Sequence, residues 1–189
     1  ADALGFNLWP GSKRFIELDS ATEWLRELPP AVSKVAVLVN STVPAAEAIF
    51  ALPFIDLIQL HGSETVETCR ALAELDVTFV KAFPLTAELI TRDLRDFCTK
   101  RILLDSNSAR GFGGTGEMIN LGLASRFVQA HPGYEVILAG GLTPENVTEG
   151  AKRVRPFMVD VASGVELAPG KKDRAAMRDF VAAVRSVAL

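Results

Sequence analysis

Seven short apolar runs, each followed by a segment with helical periodicity, constrain the fold of this 189-residue chain more than any other feature. Runs such as VAVLV and VILA carry hydrophobic residues at consecutive positions, which is typical of strands buried on both faces of a parallel sheet. The alternation predicts an α/β protein, either a doubly wound open sheet or a β/α barrel. The predicted strands are residues 3–8, 34–39, 56–61, 77–83, 101–105, 134–140 and 157–163. Helices are predicted near residues 20–28, 44–52, 63–75, 86–97, 119–130, 143–154 and 172–187.

Composition favours a single globular domain over residues 1–189, because 49% of the residues are hydrophobic and no low-complexity linker divides the chain. The net charge of −3 provides no basic surface for nucleic acid. No apolar stretch approaches the ~20 residues that cross a bilayer. Cys69 and Cys98 lie in helical patterns, and with His61 and His131 they form no metal-binding spacing. We therefore expect no metal, no disulfide and a cytoplasmic location.

Glycines and polar residues are concentrated at the predicted strand exits, where both candidate architectures place their functional residues. Gly140 and Gly141 follow the sixth strand and precede a helix, for which Thr143 is a plausible cap and Pro144 a first residue. Ser163 and Gly164 follow the last strand. Backbone N–H groups in two such turns can converge on a phosphate. The alternative is that the glycines only permit tight turns.

Asp105 ends the fifth predicted strand and precedes the glycine-rich segment RGFGGTG. A carboxyl group at this position is expected to point into a pocket, where weak solvation would raise its pKa and let it donate a proton near neutral pH. The glycine-rich segment would then be a mobile cover over that pocket. A helix-capping role fits less well, because Asp105 lies well before the next helix.

Arg14 follows the segment WPGSK in the first loop. Its planar guanidinium suits a ligand carboxylate, although a solvated surface arginine fits the pattern equally well. His61, at the exit of the third strand, suits either a catalytic role or a hydrogen-bonded structural one.

Together these motifs resemble the phosphoribosylanthranilate isomerase family of tryptophan biosynthesis. The resemblance runs through the whole chain, in ADALGFNLWPGSKRFI, IQLHGSE, VKAF, ILLDS, ILAGGLTPENV and VDVASGVELAPGKKD. It implies a (β/α)8 TIM barrel that needs no cofactor. The implied reaction is the Amadori rearrangement of N-(5-phosphoribosyl)anthranilate to 1-(carboxyphenylamino)-1-deoxyribulose 5-phosphate by general acid–base catalysis.

The same resemblance implies roles for individual residues. Asp105 matches the general acid that protonates the sugar ring oxygen, and Arg14 matches the arginine that holds the anthranilate carboxylate. The phosphate site would be formed by the backbone around Gly140, Gly141, Ser163 and Gly164. Three further residues match family-typical positions without a firm role, namely Gln59, His61 and Asp160.

One departure from the family pattern concerns the beginning of the chain. The family opens with a strand reading KICG, whose cysteine is the general base, and a helix before the segment matching ADALGF. This sequence begins at ADALGF, so we expect seven βα units, strands 2–8 of an N-terminally incomplete barrel. Open barrel edges would favour self-association. Residues 1–189 alone would show little turnover, because Cys69 and Cys98 do not replace the base.

Two other functions stay open at this stage. Related phosphosugar barrel enzymes, the histidine-pathway isomerase and indole-glycerol-phosphate synthase, share the phosphate loops, so those loops alone do not discriminate. The segments GSKRF and QLHG favour the anthranilate enzyme. A non-catalytic phosphate-binding fragment or assembly partner is the alternative from a different class.

Overall fold

The computed structural model describes residues 1–106 and 118–187, in which strands and helices alternate along the chain. The strands of the sheet are β1 (Ala3–Asn7), β2 (Ser33–Leu38), β3 (Leu57–Leu60), β4 (Phe79–Pro84), β5 (Arg101–Asp105), β6 (Glu135–Leu138) and β7 (Met158–Val159). A hairpin of β8 (Glu166–Ala168) and β9 (Lys171–Lys172) follows. The α-helices are α1 (Leu18–Glu27), α2 (Val43–Phe50), α3 (Val66–Glu74), α4 (Leu121–Ala130), α5 (Val147–Val154) and α6 (Arg174–Arg185). The 3₁₀ helices are Glu88–Thr91, Arg95–Phe97 and Ser163–Val165.

The chain divides into two compact units. The first comprises Ala1–Lys81 and Leu94–Thr99, and the second comprises Ala82–Asp93 and Lys100–Leu189. Strand β4 therefore begins in the first unit and ends in the second.

In the first unit, β1, β2, β3 and the start of β4 pair in parallel in that order. Leu60 of β3 is in register with Leu38 of β2 on one side and with Lys81 of β4 on the other. The sheet is covered by apolar helix faces, and fully buried side chains such as Leu25 and Leu72 form its core. Because the strands are parallel, their carboxyl ends share one edge of the sheet.

In the second unit, β5, β6 and β7 pair in parallel, with Leu104 opposite Leu138 and Leu138 opposite Val159. Phe127 of α4 is fully buried in the core of this unit. The carbonyl of Asp105 accepts a hydrogen bond from Leu85 N at 2.9 Å, directly after β4. The exits of β5, β6 and β7 therefore lie along one edge.

The helix predicted near residues 86–97 is wrong. Two 3₁₀ helices occupy the segment, with Arg92 in an extended conformation between them. The His131 ring donates from Nε2 to the carbonyl of Ile90 at 3.0 Å. In an α-helix that carbonyl would accept from Leu94 N, so a tertiary contact replaces the helical bond.

Two predicted details of helix and strand ends are also wrong. Helix α5 begins at Val147 rather than at Pro144, because Thr143 O accepts from both Asn146 N and Val147 N in a preceding turn. Strand β7 is confined to Met158–Val159, shorter than the predicted 157–163, because the chain turns into a 3₁₀ helix at Ser163. Pro44 lies in the first turn of α2, where a proline costs no helical hydrogen bond.

Within the described residues, no helix has the length and apolar character needed to cross a membrane. Cys69 is a buried free thiol and Cys98 an exposed one. The same part of the chain holds no group of three or more His, Cys, Asp or Glu residues that could bind a metal.

Candidate functional site

The exit of β5 places Asp105 against the turn that follows β6. One oxygen of the half-buried carboxylate, Oδ1, accepts a hydrogen bond from Ser106 N at 2.8 Å. Gly140 lies directly opposite: a Cβ built on it would be 2.8 Å from Asp105 Oδ1 and would overlap Ser106 N. Gly140 also has a φ of 87°, a conformation that favours glycine. Position 140 therefore requires glycine if Asp105 is to keep its place.

The turn after β6 is held by an asparagine side chain. Gly141 continues the left-handed backbone with a φ of 66°. Asn146 Nδ2 donates to Gly141 O at 3.0 Å, and Asn146 Oδ1 accepts from Thr143 N at 2.8 Å. Sequence reasoning missed Asn146, although the PENV motif that contains it was noted. Its two hydrogen bonds fix the path of the backbone between Gly141 and the turn that precedes α5.

The loop after β7 packs on this turn. Ser163–Val165 forms a 3₁₀ helix, and a Cβ on Gly164 would overlap the carbonyl oxygen of Leu142. The two turns predicted to form the phosphate site are therefore in direct contact. Asp160 lies at the same exit, is exposed, and donates its backbone N–H to Leu138 O at 2.8 Å.

The other predicted site residues lie in the first unit. Gln59 Nε2 donates to His61 Nδ1 at 2.8 Å, which leaves the proton of a neutral His61 ring on Nε2. Arg14 is half-buried, and its backbone N–H donates to Ser12 Oγ at 3.0 Å. The Trp9 ring packs against Gly11 in the same loop. A series of tight local contacts thus shapes the segment that carries Arg14.

A buried ion pair at the strand exits of the first unit was not foreseen as a pair. Lys81 Nζ lies 2.9 Å from Glu64 Oε2, and the two side chains are 3% and 1% exposed. Lys81 Nζ also donates to Gly62 O at 2.9 Å. Glu64 Oε1 accepts from Asn40 N at 2.8 Å and from Gly62 N at 3.0 Å. The pair joins the residues that follow β2 and β3 to Lys81 within β4.

The glycine-rich segment RGFGGTG, residues 110–116, lies outside the described residues, so its predicted role as a cover stays a prediction.

Comparison with known proteins identifies one family over nearly the whole chain. The family model of N-(5'phosphoribosyl)anthranilate (PRA) isomerase matches residues 1–183. The chain is 38% identical over 181 residues to the N-(5'-phosphoribosyl)anthranilate isomerase of Trichlorobacter lovleyi, covering 96% of this chain and 86% of that protein. It is 39% identical over 185 residues to the isomerase of Magnetococcus marinus, covering 98% and 85%.

Solved structures of the same enzyme match the fold. The phosphoribosyl anthranilate isomerase of Thermus thermophilus has a TM-score of 0.85 at 34% identity, with 98% of this chain and 88% of that chain covered. An isomerase in complex with reduced 1-(o-carboxyphenylamino)-1-deoxyribulose 5-phosphate has a TM-score of 0.79 at 34% identity, with 99% and 89% covered. These likenesses confirm the predicted α/β fold of the (β/α)8-barrel family.

Proposed function

Because the chain belongs to the N-(5'-phosphoribosyl)anthranilate isomerase family, we propose that the rim formed by the exits of β5, β6 and β7 carries its proton donor and its phosphate site. The protein is an isomerase of tryptophan biosynthesis, which favours this function over the histidine-pathway enzyme and the synthase. The low turnover expected of residues 1–189 alone stays a prediction. The assignment of individual residues is our proposal.

The observation that carries this assignment is the packing of Gly140 on the Asp105 carboxylate. The Asp105 carboxylate, the proposed proton donor, lies beside the backbone of the Gly140–Gly141 turn, and Gly164 packs on Leu142 just beyond that turn. Backbone amides in two adjoining turns form a cradle suited to a phosphate group. A sugar phosphate seated there would bring its ring towards Asp105.

The substrate class follows from the relatives. One similar isomerase was solved with a reduced carboxyphenylamino-deoxyribulose phosphate, and we assign a phosphoribosyl-anthranilate substrate to this chain. In the proposed reaction Asp105 gives its proton to the ring oxygen as the C1–O bond breaks and the C1–N bond gains double-bond character. A general base then takes the proton from C2 to give an enolamine, and delivery of a proton to C1 converts the enolamine into the ketone. Hydrogen moves from carbon to carbon, and nothing is oxidised or reduced overall.

Arg14 is proposed to hold the anthranilate carboxylate. The tight turns of its loop order the backbone at Arg14, so less conformational freedom is lost when the guanidinium binds an anion. Gln59, His61 and Asp160 are further candidates for contact with the substrate, because each lies at the carboxyl end of its strand.

The test is an Asp105→Asn variant, which keeps the shape of the side chain and removes the transferable proton. Turnover should fall by roughly 10²- to 10⁴-fold. Asp76→Asn is the matched control, because Asp76 is exposed and its left-handed φ of 55° is tolerated by asparagine. The loss of anthranilate-substrate fluorescence measures the rate. Full activity of Asp105→Asn would show that Asp105 is not the proton donor.

Self-association is a second proposal with its own observation. Strand β1 is the outer strand of the first unit, and Leu4, Phe15 and Trp24 around it are 36%, 44% and 41% exposed. An exposed strand edge with apolar neighbours favours pairing with another chain. One similar structure concerns monomers of a dimeric isomerase from Thermotoga maritima. Light scattering of the purified protein at micromolar concentration should show a dimer, and a monomer would contradict the proposal.

We also propose that the chain is a single cooperative domain. Trp9 and Trp24 report on the first unit, whereas Tyr134 lies in the second. A single-domain chain should give coincident unfolding transitions for tryptophan fluorescence and circular dichroism. Two separate transitions would indicate two domains.

A cytoplasmic location is proposed as well, because the cytoplasm is the compartment of amino-acid biosynthesis. Cell fractionation tests the location: the protein should appear with the cytoplasmic fraction, and recovery elsewhere would contradict it.

A further inference from the structure

A lysine holds both ends of the loop that contains Ser163 and Gly164. Lys172 Nζ donates to Ala162 O at 2.8 Å, immediately before the 3₁₀ helix. The same ammonium lies 3.0 Å from Glu166 Oε1, immediately after that helix. The Glu166 side chain is only 4% exposed, whereas that of Lys172 is 39% exposed. One cation therefore joins the residues on either side of the loop.

The hairpin that follows the loop brings Lys172 back to it. β8 and β9 pair antiparallel with Glu166 opposite Lys172, and Gly170 turns the chain with a φ of 82°. The next residue, Asp173, donates its N–H to Val165 O at 2.9 Å. Its carboxylate caps α6 by accepting from Ala175 N at 2.8 Å. The pairing of β8 with β9 and the backbone hydrogen bond of Asp173 therefore fix the position of the Lys172 backbone independently of its side-chain bonds.

The loop that Lys172 holds has little room to move. Gly164 lies so close to the Leu142 carbonyl that a single added carbon would overlap it. A phosphate cradle built of backbone N–H groups works only while those groups converge on one point. A shift of the loop therefore weakens anion binding without altering the chemical nature of any group that contacts the anion.

We propose that Lys172 and Glu166 are positioning residues for the substrate phosphate, acting through the backbone of Ser163 and Gly164. This inference depends on the proposed function, because it assumes that the loop binds phosphate. Removal of the Lys172 ammonium deprives the nearly buried Glu166 carboxylate of this cation and Ala162 O of this donor. The loop then relaxes, and phosphate affinity falls while the acid chemistry at Asp105 continues.

The experiment compares Lys172→Met, Lys172→Arg and Lys171→Met. Lys172→Met keeps the apolar stem and removes the charge, and Lys172→Arg restores a donor cation. Lys171→Met is the matched control, because Lys171 is the adjacent exposed lysine of the same hairpin. For each protein, KM and kcat are measured with phosphoribosylanthranilate. The dissociation constant of inorganic phosphate is measured from phosphate-dependent thermal stabilisation.

Lys172→Met should raise both KM and the phosphate dissociation constant roughly tenfold, the scale set by one charge-assisted hydrogen bond. Its kcat should stay within about twofold. Lys172→Arg should recover most of the affinity, and Lys171→Met should resemble the unmodified protein. Glu166→Gln is a second variant of the same pair and should show the same rise in KM. It tests the inference independently if Lys172→Met folds poorly.

The outcomes separate this inference from the function on which it depends. If the unmodified protein binds phosphate and Lys172→Met and Glu166→Gln bind it equally well, the positioning role is wrong and the phosphate site stands. A fall in kcat at constant KM would also overturn the positioning role. If the unmodified protein shows no stabilisation by phosphate, the phosphate site itself is wrong, and the positioning role is wrong with it.

Discussion

Replacement of Lys81 by methionine tests what holds the strand exits of the first unit together. The variant keeps most of the side-chain volume of Lys81 and removes the ammonium that lies 2.9 Å from Glu64 Oε2. Glu64 is 1% exposed, so its carboxylate would stay away from water without this cation. The carbonyl of Gly62 would lose its donor at the same time.

The size of the effect follows from burial. Breaking a buried ion pair by removing one partner costs about 3–5 kcal/mol, because an uncompensated charge remains. For a chain of this length each kcal/mol lowers Tm by roughly 2–4 °C. Lys81→Met should therefore lower Tm by roughly 6–20 °C. The double variant Lys81→Met/Glu64→Gln should lose less than the sum of its single variants, because the unpaired charge is then absent.

A pair with the same geometry and greater exposure provides the control. Arg101 Nε lies 2.9 Å from Glu135 Oε2, and both side chains are 41% exposed. Arg101→Met should therefore lower the free energy of unfolding by only about 0.2–1 kcal/mol. Urea unfolding followed by circular dichroism measures all the variants. If Lys81→Met and Arg101→Met lowered the free energy of unfolding equally, the argument from burial would be refuted.

Two further predictions concern the β6 turn and the cysteines. Gly140→Ala should lower the free energy of unfolding by at least ~1 kcal/mol and reduce turnover, because the φ of 87° and the contact with Asp105 exclude a Cβ. Gly133→Ala is the control, because a Cβ at position 133 meets open space. Equal effects of the two substitutions would contradict the expectation. Burial raises the pKa of the Cys69 thiol from 9.0 to about 11, so at pH 8 a thiol reagent should label Cys98 and not Cys69 in the folded protein. Because the folded state holds that proton more tightly, Cys69 should contribute a fall in stability as the pH rises from about 9 to 11, and a Cys69→Ala variant should lack it. Rapid labelling of Cys69 at pH 8 would contradict this assignment.

The sequence alone predicts a secondary-structure element correctly where its local pattern and its tertiary contacts favour the same structure. Strand β5 was predicted at residues 101–105 and found there, because an apolar run is bounded by Arg101 and Asp105. The segment 86–97 shows the limit of the same reasoning. Its apolar spacing is helical, but the His131 ring takes the Ile90 carbonyl, and a contact 41 residues distant is invisible to periodicity.

In the candidate site, too, features of the local sequence were predictable and long-range contacts were not. Asp105 and the glycine turns were visible because their residue types and positions at strand ends are informative on their own. Glu64 in IQLHGSE and Lys81 in VKAF give no sign in the sequence that they form a pair. Their pairing depends on the register that places Leu60 beside Lys81. Lys172 is likewise positioned by a hairpin whose register the sequence does not state.

The most direct test of the account is a crystal structure of the protein bound to reduced 1-(o-carboxyphenylamino)-1-deoxyribulose 5-phosphate, the ligand found in a similar isomerase. We predict that its phosphate is held by backbone N–H groups of the Gly140–Gly141 and Ser163–Gly164 turns, with the Asp105 carboxylate within hydrogen-bonding distance of a sugar oxygen. A phosphate bound away from both turns, or an Asp105 side chain directed away from the sugar, would contradict the central claim.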